Sequence, residues 1–286
     1  MFVEAMLWGA FPVLALLAYN FLSPLKVLAW STFFASIFFG LLLFLQKRWK
    51  EIFVREAWLP ILILTLISGI LYPTFYFLGL RFTTAGNAAI VAQMEIVFSF
   101  LFFGLILKRE KYTMFAVVGA ALMFAGVIAV FFSGKFTINP GDALILFATM
   151  IAPISNNFQQ KARKKVSAVT LLFLRSLIAS IFLFCFANFW QETGVNNLTK
   201  ALPLLLINGI FVFGLSKIFW IEAIHRIPVA KAISLNAITP IFTLIYAFFL
   251  LHEVPTIWQF IALPLIIGGG ILLTRKNFLH KISSLN

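Results

Sequence analysis

Among the ionisable residues that fall inside the long apolar runs of this 286-residue chain, three lie well away from the run ends: Glu95 in 85–107, Arg175 in 168–189 and Lys217 in 202–224. A charge held in hydrocarbon is costly, so such groups face a protein interior or a water-filled cavity and often mark the path of an ion or substrate. Glu95 falls near the middle of its run. Two roles are open to it: counter-ion or proton carrier for a cationic or amino-bearing ligand, and static ion pair between helices. Lys217 and Arg175 are partners of suitable depth. If Lys217 stays unpaired, it is placed to hold a substrate carboxylate while Glu95 holds an amino group, a combination that suits a zwitterion. Arg175 is a gating or ion-pair candidate, and its side chain is also long enough to snorkel to the nearer surface.

Polar amides accompany these charges: Gln93 and Asn87 in 85–107, Asn156 and Asn157 in 141–158 with Gln159 just past its end, and Asn236 with Thr239 in 228–250. Facing inward, they can hydrogen-bond a polar substrate or one another. Trp8, Tyr76 and Trp220, with Tyr72 and Phe219, are aromatic side chains able to stack on a ring or hold a cation, or simply to pack. Glu222 and Arg226 have the i, i+4 spacing of a pair on one helix surface and read as a gate or end clasp. Pro73, Pro153 and Pro240 are hinge candidates, because proline within a helix removes a backbone bond and permits a kink. Enzyme chemistry finds no support. The chain has no phosphate-cradling Gly-Lys-Ser/Thr loop, and His225, His252 and His280 have no metal-ligand spacing. No catalytic residue, metal or cofactor is expected.

The elements that must position these residues follow from composition. With 62% hydrophobic and 11% charged residues, the chain cannot clothe a water-facing surface, so lipid must cover it. Apolar runs near the roughly 20 residues that span ~30 Å of hydrocarbon recur at 3–20, 25–45, 58–80, 85–107, 112–132, 141–158, 168–189, 202–224, 228–250 and 256–274. They are apolar all round, which excludes the period-two pattern of a β-barrel. The first run carries Glu4 and neither Lys nor Arg, unlike a cleaved signal peptide, and is kept as a span. The fold class expected is an all-α polytopic membrane protein of ten transmembrane helices. A net charge of +13 suggests nucleic acid only until its placement is examined, because the basic residues fall between apolar runs. With the amino terminus inside, fifteen lie in inner loops and the tail, against Lys26, Arg81, Lys135 and Lys200 outside. That asymmetry puts both termini in the cytoplasm. Cys185 is the only cysteine, so no internal disulfide forms.

Sliding the chain over itself by 143 or 144 residues aligns Ser23 with Ser167, Ala35-Ser36-Ile37-Phe38 with Ala179-Ser180-Ile181-Phe182, Pro60 with Pro203, Ala89-Ile90 with Ala232-Ile233, Gln93 with Asn236, Glu110 with Glu253 and Gly126 with Gly269. A repeat unit with an odd number of spans must enter the membrane upside down in its second copy. Two inverted five-helix repeats, 1–134 and 135–286, are therefore expected, with a site where they meet and alternating access between two near-equivalent packings. Ala121, Ala125 and Ala129, with Gly268 to Gly270, form small-residue surfaces that suit close contact between the fifth and tenth spans.

The ends of the repeats carry a resemblance. Ala232-Ile233-Ser234, Thr239-Pro240-Ile241, Leu250-Leu251-His252-Glu253 and Gly268-Gly269-Gly270 in the second half, with Ala88-Ala89-Ile90, Leu107-Lys108-Arg109-Glu110, Gly119 and Gly126 in the first, resemble the EamA-like members of the drug/metabolite transporter superfamily. The resemblance covers nearly the whole chain. It implies ten helices and secondary active transport of amino acids, related metabolites or drugs, commonly as efflux. Val97 stands where the repeat would place the counterpart of Pro240, and Ser31 where it would place that of Arg175, so no relative's substrate transfers directly. The expectation is a multi-pass inner-membrane transporter of an amino acid or related amine or zwitterion. Its partners are a small-molecule substrate, membrane lipid and a proton or counter-substrate, with no nucleic acid, and it acts as a monomer or homodimer. Uptake or exchange of a nucleoside metabolite such as S-adenosylmethionine, and a non-transporting membrane sensor or interaction protein, are the alternatives.

Overall fold

The computed structural model describes residues 1–108, 113–131, 139–189, 196–227 and 229–274. The expected boundary at 134/135, the Arg109-Glu110 end of the first-half motif and the tail from residue 275 lie outside them. Among the described residues the chain is helical throughout. The α-helices are α1 (Phe2–Gly9), α2 (Phe11–Tyr19), α3 (Pro24–Leu45), α4 (Arg55–Leu64), α5 (Tyr72–Leu80), α6 (Ala85–Ala92), α7 (Met94–Leu101), α8 (Met114–Phe131), α9 (Pro140–Arg163), α10 (Ala168–Phe189), α11 (Leu198–Ile207), α12 (Ser216–Arg226), α13 (Val229–Leu235), α14 (Thr239–Leu251) and α15 (Ile257–Thr274).

Seven helical runs among the described residues are long and apolar enough to cross a membrane, and Asn236–Leu251 and Ile257–Leu273 are shorter apolar helices. Helix α9 has the length, but Asn156, Asn157, Gln159 and Gln160 make it more polar than the others. The chain is a multi-pass membrane protein. Backbone groups have no water to bond to in hydrocarbon, so each crossing closes its own hydrogen bonds as a helix.

Several crossings are locally irregular. A π-helical turn at Thr65–Leu71 joins α4 to α5, another at Asn208–Leu215 joins α11 to α12, and a third at Phe102–Ile106 follows α7. The first two each begin five residues after a proline inside the preceding helix, Pro60 and Pro203. A proline donates no backbone bond, and a π turn relaxes the ladder nearby. Between α6 and α7 the helix tightens at Gln93, whose N–H bonds to the Ile90 carbonyl and whose carbonyl accepts from Ile96. A 3-10 turn, Asn236–Ile238, separates α13 from α14. Pro153 is interior to α9, and Pro73 and Pro240 lie within the continuous helical runs Arg55–Leu80 and Asn236–Leu251, each just after a local change of helix type, the π turn and the 3-10 turn, where it removes one further backbone bond.

Hydrogen bonds between helices define two ends of the bundle. At one, Tyr19 Oη donates to the Phe77 carbonyl, Thr83 Oγ1 to Asp142 Oδ1, Asn139 Nδ2 to the Phe82 carbonyl and the Ala85 N–H to Glu253 Oε1. At the other, Gln160 Nε2 donates to the Ile224 carbonyl, Arg163 to Glu222, and the Ser167 N–H to Glu51 Oε2. Helix α3 packs along α10, and α8 along α15. Gly119 and Gly269 make the close α8–α15 contact, because a Cβ on Gly119 would lie 2.6 Å from the Gly269 carbonyl oxygen, whereas Ala121 and Ala125 are exposed and a Cβ on Gly268 would meet nothing within 4 Å, so the alanine face does not make the expected contact. Helices α5 and α9 meet as closely, since a Cβ on Gly79 would lie 2.6 Å from the Gly141 carbonyl oxygen. Gly79→Val is expected to destabilise the purified protein by about 1–3 kcal/mol, the usual cost of overpacking. Thermal unfolding in detergent measures it, and an unchanged midpoint would show that these helices can separate freely.

Candidate functional site

Helix α1 presents Glu4, Trp8 and Phe11 at spacings of four and three, which put them on one face across the small break at Ala10. That face lines a cavity of about 920 Å³ including its mouth, in the half of the bundle that holds the Arg163–Glu222 end. From the facing helices come Glu95 in the first turn of α7, Arg175 in α10, Lys217 and Trp220 in α12, and Asn236 at the 3-10 turn. Phe11 and Phe213 are among its lining residues, and Phe77 packs on both with ring centroids 5.2 and 6.2 Å away. Tyr76 packs on Phe11 in a tilted contact at 4.8 Å, which extends this aromatic cluster.

Within the cavity the charges stand apart. Among the described residues the ion pairs are Arg48–Glu51, Arg163–Glu222 and Arg226–Glu222, and none joins the four charged residues of the cavity. Glu95 Oε1 accepts a 2.8 Å bond from Asn156 Nδ2, and Gln159 Nε2 extends the network through Asn156 Oδ1 and Ser155 Oγ. Glu4 is 1% exposed; the Asn236 side chain lies near its carboxylate, but neither oxygen meets the geometry of a hydrogen bond. Arg175 is 7% exposed and its Nε is likewise unpartnered. The Lys217 ammonium rests 3.1 Å from the centroid of the Trp8 ring. Two carboxylates and two cations thus share one desolvated space, and a ligand with both signs of charge would find partners on facing walls.

Sequence reasoning placed Glu95, Lys217, Gln93, Asn236, Asn156, Trp220 and Trp8 in a candidate site, and the structure brings these to the cavity together with Arg175 and Pro73. Tyr76, Asn157, Pro153 and Pro240 are not among its lining residues. Asn87 is drawn off to accept a 2.6 Å bond from Gln259. Glu95 forms no ion pair with Lys217 or Arg175; its direct partner is an amide on α9. Glu222 does bond Arg226, at 3.4 Å, but its shorter partner is Arg163 at 2.7 Å, a contact between helices that the i, i+4 rule could not reveal. Glu4 was missed as a site residue. Its signal was present: an acid inside an apolar run, one turn before Trp8.

Outside the spans, the turn Trp49–Phe53 carries Glu51, which accepts from the Ser167 N–H and from Thr170 Oγ1, both at 2.7 Å, and pairs with Arg48. Burial pushes the Glu51 carboxyl up, but the hydrogen bonds from Thr170, Ser167 and Arg48 outweigh it and hold the group below its usual value. A carboxyl depressed in the folded state stabilises above its unfolded pKa, and that contribution fades as pH falls through the folded pKa. Glu51→Gln is therefore expected to be less stable than the parent above about pH 5, where an ordinary glutamate is ionised, and to converge with it in stronger acid. Thermal unfolding across pH reads this, and a constant gap would remove the titration from the explanation.

The family model described as the EamA-like transporter family matches residues 1–132 and 139–275. The chain belongs to the EamA-like transporter family. Among relatives of this family member, an uncharacterized transporter of Archaeoglobus fulgidus is 28% identical over 80% of this chain and 81% of its own length. The uncharacterized transporter YoaV of Bacillus subtilis is 22% identical over 96% and 95%. A crystal structure with 20% identity superposes with a TM-score of 0.74, covering 96% of this chain and 95% of that one, so this EamA-like chain shares its fold.

Proposed function

We propose that this protein is a secondary transporter that moves an amino acid or related zwitterion across the cytoplasmic membrane by alternating access, loading it from the cytoplasmic side for efflux. The observation that carries this reading is the cavity in which Glu4 and Glu95 face Arg175 and Lys217 with no ion pair among them. Buried charges without partners are unfavourable, so the site favours a ligand that brings an ammonium to the carboxylates and a carboxylate to the cations. Such a ligand leaves the net charge of the cavity unchanged.

The same proposal includes ten spans in two inverted five-helix repeats, 1–134 and 135–286, with both termini cytoplasmic. An offset of 143 carries Pro60 to Pro203, the start of the π turn at Thr65 to that at Asn208, and the break at Gln93 to the one at Asn236, which supports the repeat. Packing supports it too: the π turn at Thr65–Leu71 lies on α10, and the π turn at Asn208–Leu215 lies on α3. Discontinuous helices at the contact of two inverted repeats are how such carriers expose polar backbone to a ligand. Energy would come from a gradient or from exchange.

Counterflow in proteoliposomes tests the function. Vesicles preloaded with unlabelled zwitterionic amino acids should accumulate the labelled compound saturably, and amino acids esterified at the carboxylate should compete poorly. Absence of saturable flux for every zwitterion tried would overturn the reading and favour a sensor. Single cysteines at 20 and 165, with Cys185 replaced, should label from opposite sides of the membrane; labelling from one side would end the inverted-repeat proposal.

A further inference from the structure

The place where Lys217 lies says more about the site than its charge does. Its ammonium sits on the face of Trp8, one turn of α1 from Glu4. Glu4 is buried, has both carboxylate oxygens unclaimed, and is close enough to interact electrostatically with Lys217 and Glu95. An aromatic face beside an unpaired carboxylate is the chemistry that binds an alkylammonium, through the ring quadrupole on one side and charge on the other.

We infer that Glu4 and Trp8 form an alkylammonium subsite that the chain fills with its own Lys217 when no substrate is bound, and that a substrate's ammonium group displaces Lys217 from it. The idea rests on the reading of this cavity as the substrate site and deepens it in two ways. It gives the cationic end of the substrate a definite seat between Trp8 and Glu4. It also gives Lys217 a role in the same cavity, as a tethered stand-in for the ligand's ammonium group. Once displaced, the Lys217 ammonium is free to turn towards a substrate carboxylate beside Arg175.

A probe without a carboxylate isolates this seat. The test measures n-butylammonium, which reproduces the end of a lysine side chain, by its thermal stabilisation of the purified full-length protein. Lys217→Met removes the internal competitor, so the half-saturating concentration of n-butylammonium is expected to fall at least tenfold. Glu4→Gln added to Lys217→Met should raise it again by a similar factor. Equal or weaker binding by Lys217→Met, or undiminished binding after Glu4→Gln, would overturn the proposal. Lys217→Gln replaces Lys217→Met if the latter does not fold. Should neither fold, Glu4→Gln and Trp8→Leu in the otherwise unaltered chain must each weaken n-butylammonium at least fivefold, and failure to do so is equally fatal. The outcomes separate this inference from the transport reading. Zwitterion counterflow together with no gain in Lys217→Met would sink the subsite alone. A gain in Lys217→Met with no zwitterion flux would sink transport alone.

Discussion

Glu95→Gln is expected to lower zwitterion counterflow by about 10- to 100-fold while leaving the protein folded. The two parts of that expectation have separate causes. Glutamine keeps the side-chain oxygen that accepts from Asn156 at 2.8 Å, so the network through Ser155 and Gln159 persists. What is lost is the negative charge opposite the substrate's ammonium, and a hydrogen bond to a charged group contributes about 1.5–3 kcal/mol. At about 1.4 kcal/mol per factor of ten, that accounts for the stated range. Initial rates in proteoliposomes, beside a thermal unfolding midpoint in detergent, check both parts. Unchanged kinetics would remove Glu95 from the mechanism, and collapse of the fold would make it a structural strut.

Arg175→Met is expected to have opposite effects on stability and on function. Arg175 is buried in α10, its Nε has no partner, and among the described residues it joins no ion pair. A desolvated cation that waits for a ligand costs stability, and replacing buried charge by an apolar side chain of similar reach is often stabilising by about 1–3 kcal/mol. The midpoint of thermal unfolding should therefore rise. Counterflow of zwitterions should fall by at least tenfold, because the substrate's carboxylate loses its fixed partner. A variant that is both less stable and still active would show that Arg175 holds helices together. Sites that bind ligands commonly carry strain of this kind.

The landmarks of the chain and the residues of the site are legible to different degrees. The offset of 143 aligns Pro60 with Pro203 and Gln93 with Asn236, and the π turns that begin at Thr65 and Asn208 are separated by the same offset. That the breaks would be a π turn and a 3-10 turn was hidden, because the prolines that signal a disturbed ladder do not say on which side the ladder adjusts. Charged residues near the middle of apolar runs stand out in the sequence, whereas Glu4 lies near the start of the first run, where position alone gives no sign of a cavity. Arg163 lies just past an apolar run and looked like a topology charge. Only the approach of α9 to α12 makes it the partner of Glu222.

The sequence by itself determined that the chain lives in a membrane and where its apolar runs lie, because a crossing helix must satisfy its own backbone and shield it with about 20 apolar side chains. Each of those requirements is local and one-dimensional. The tertiary structure decided which charges share a space, that Lys217 rests on Trp8, that Asn156 serves Glu95, and that Phe11, Phe77 and Phe213 pack together as an aromatic cluster. Those contacts join residues some 60 to 200 positions apart. They depend on the rotation and depth of each helix against its neighbours, and hydropathy along a chain carries no information about either.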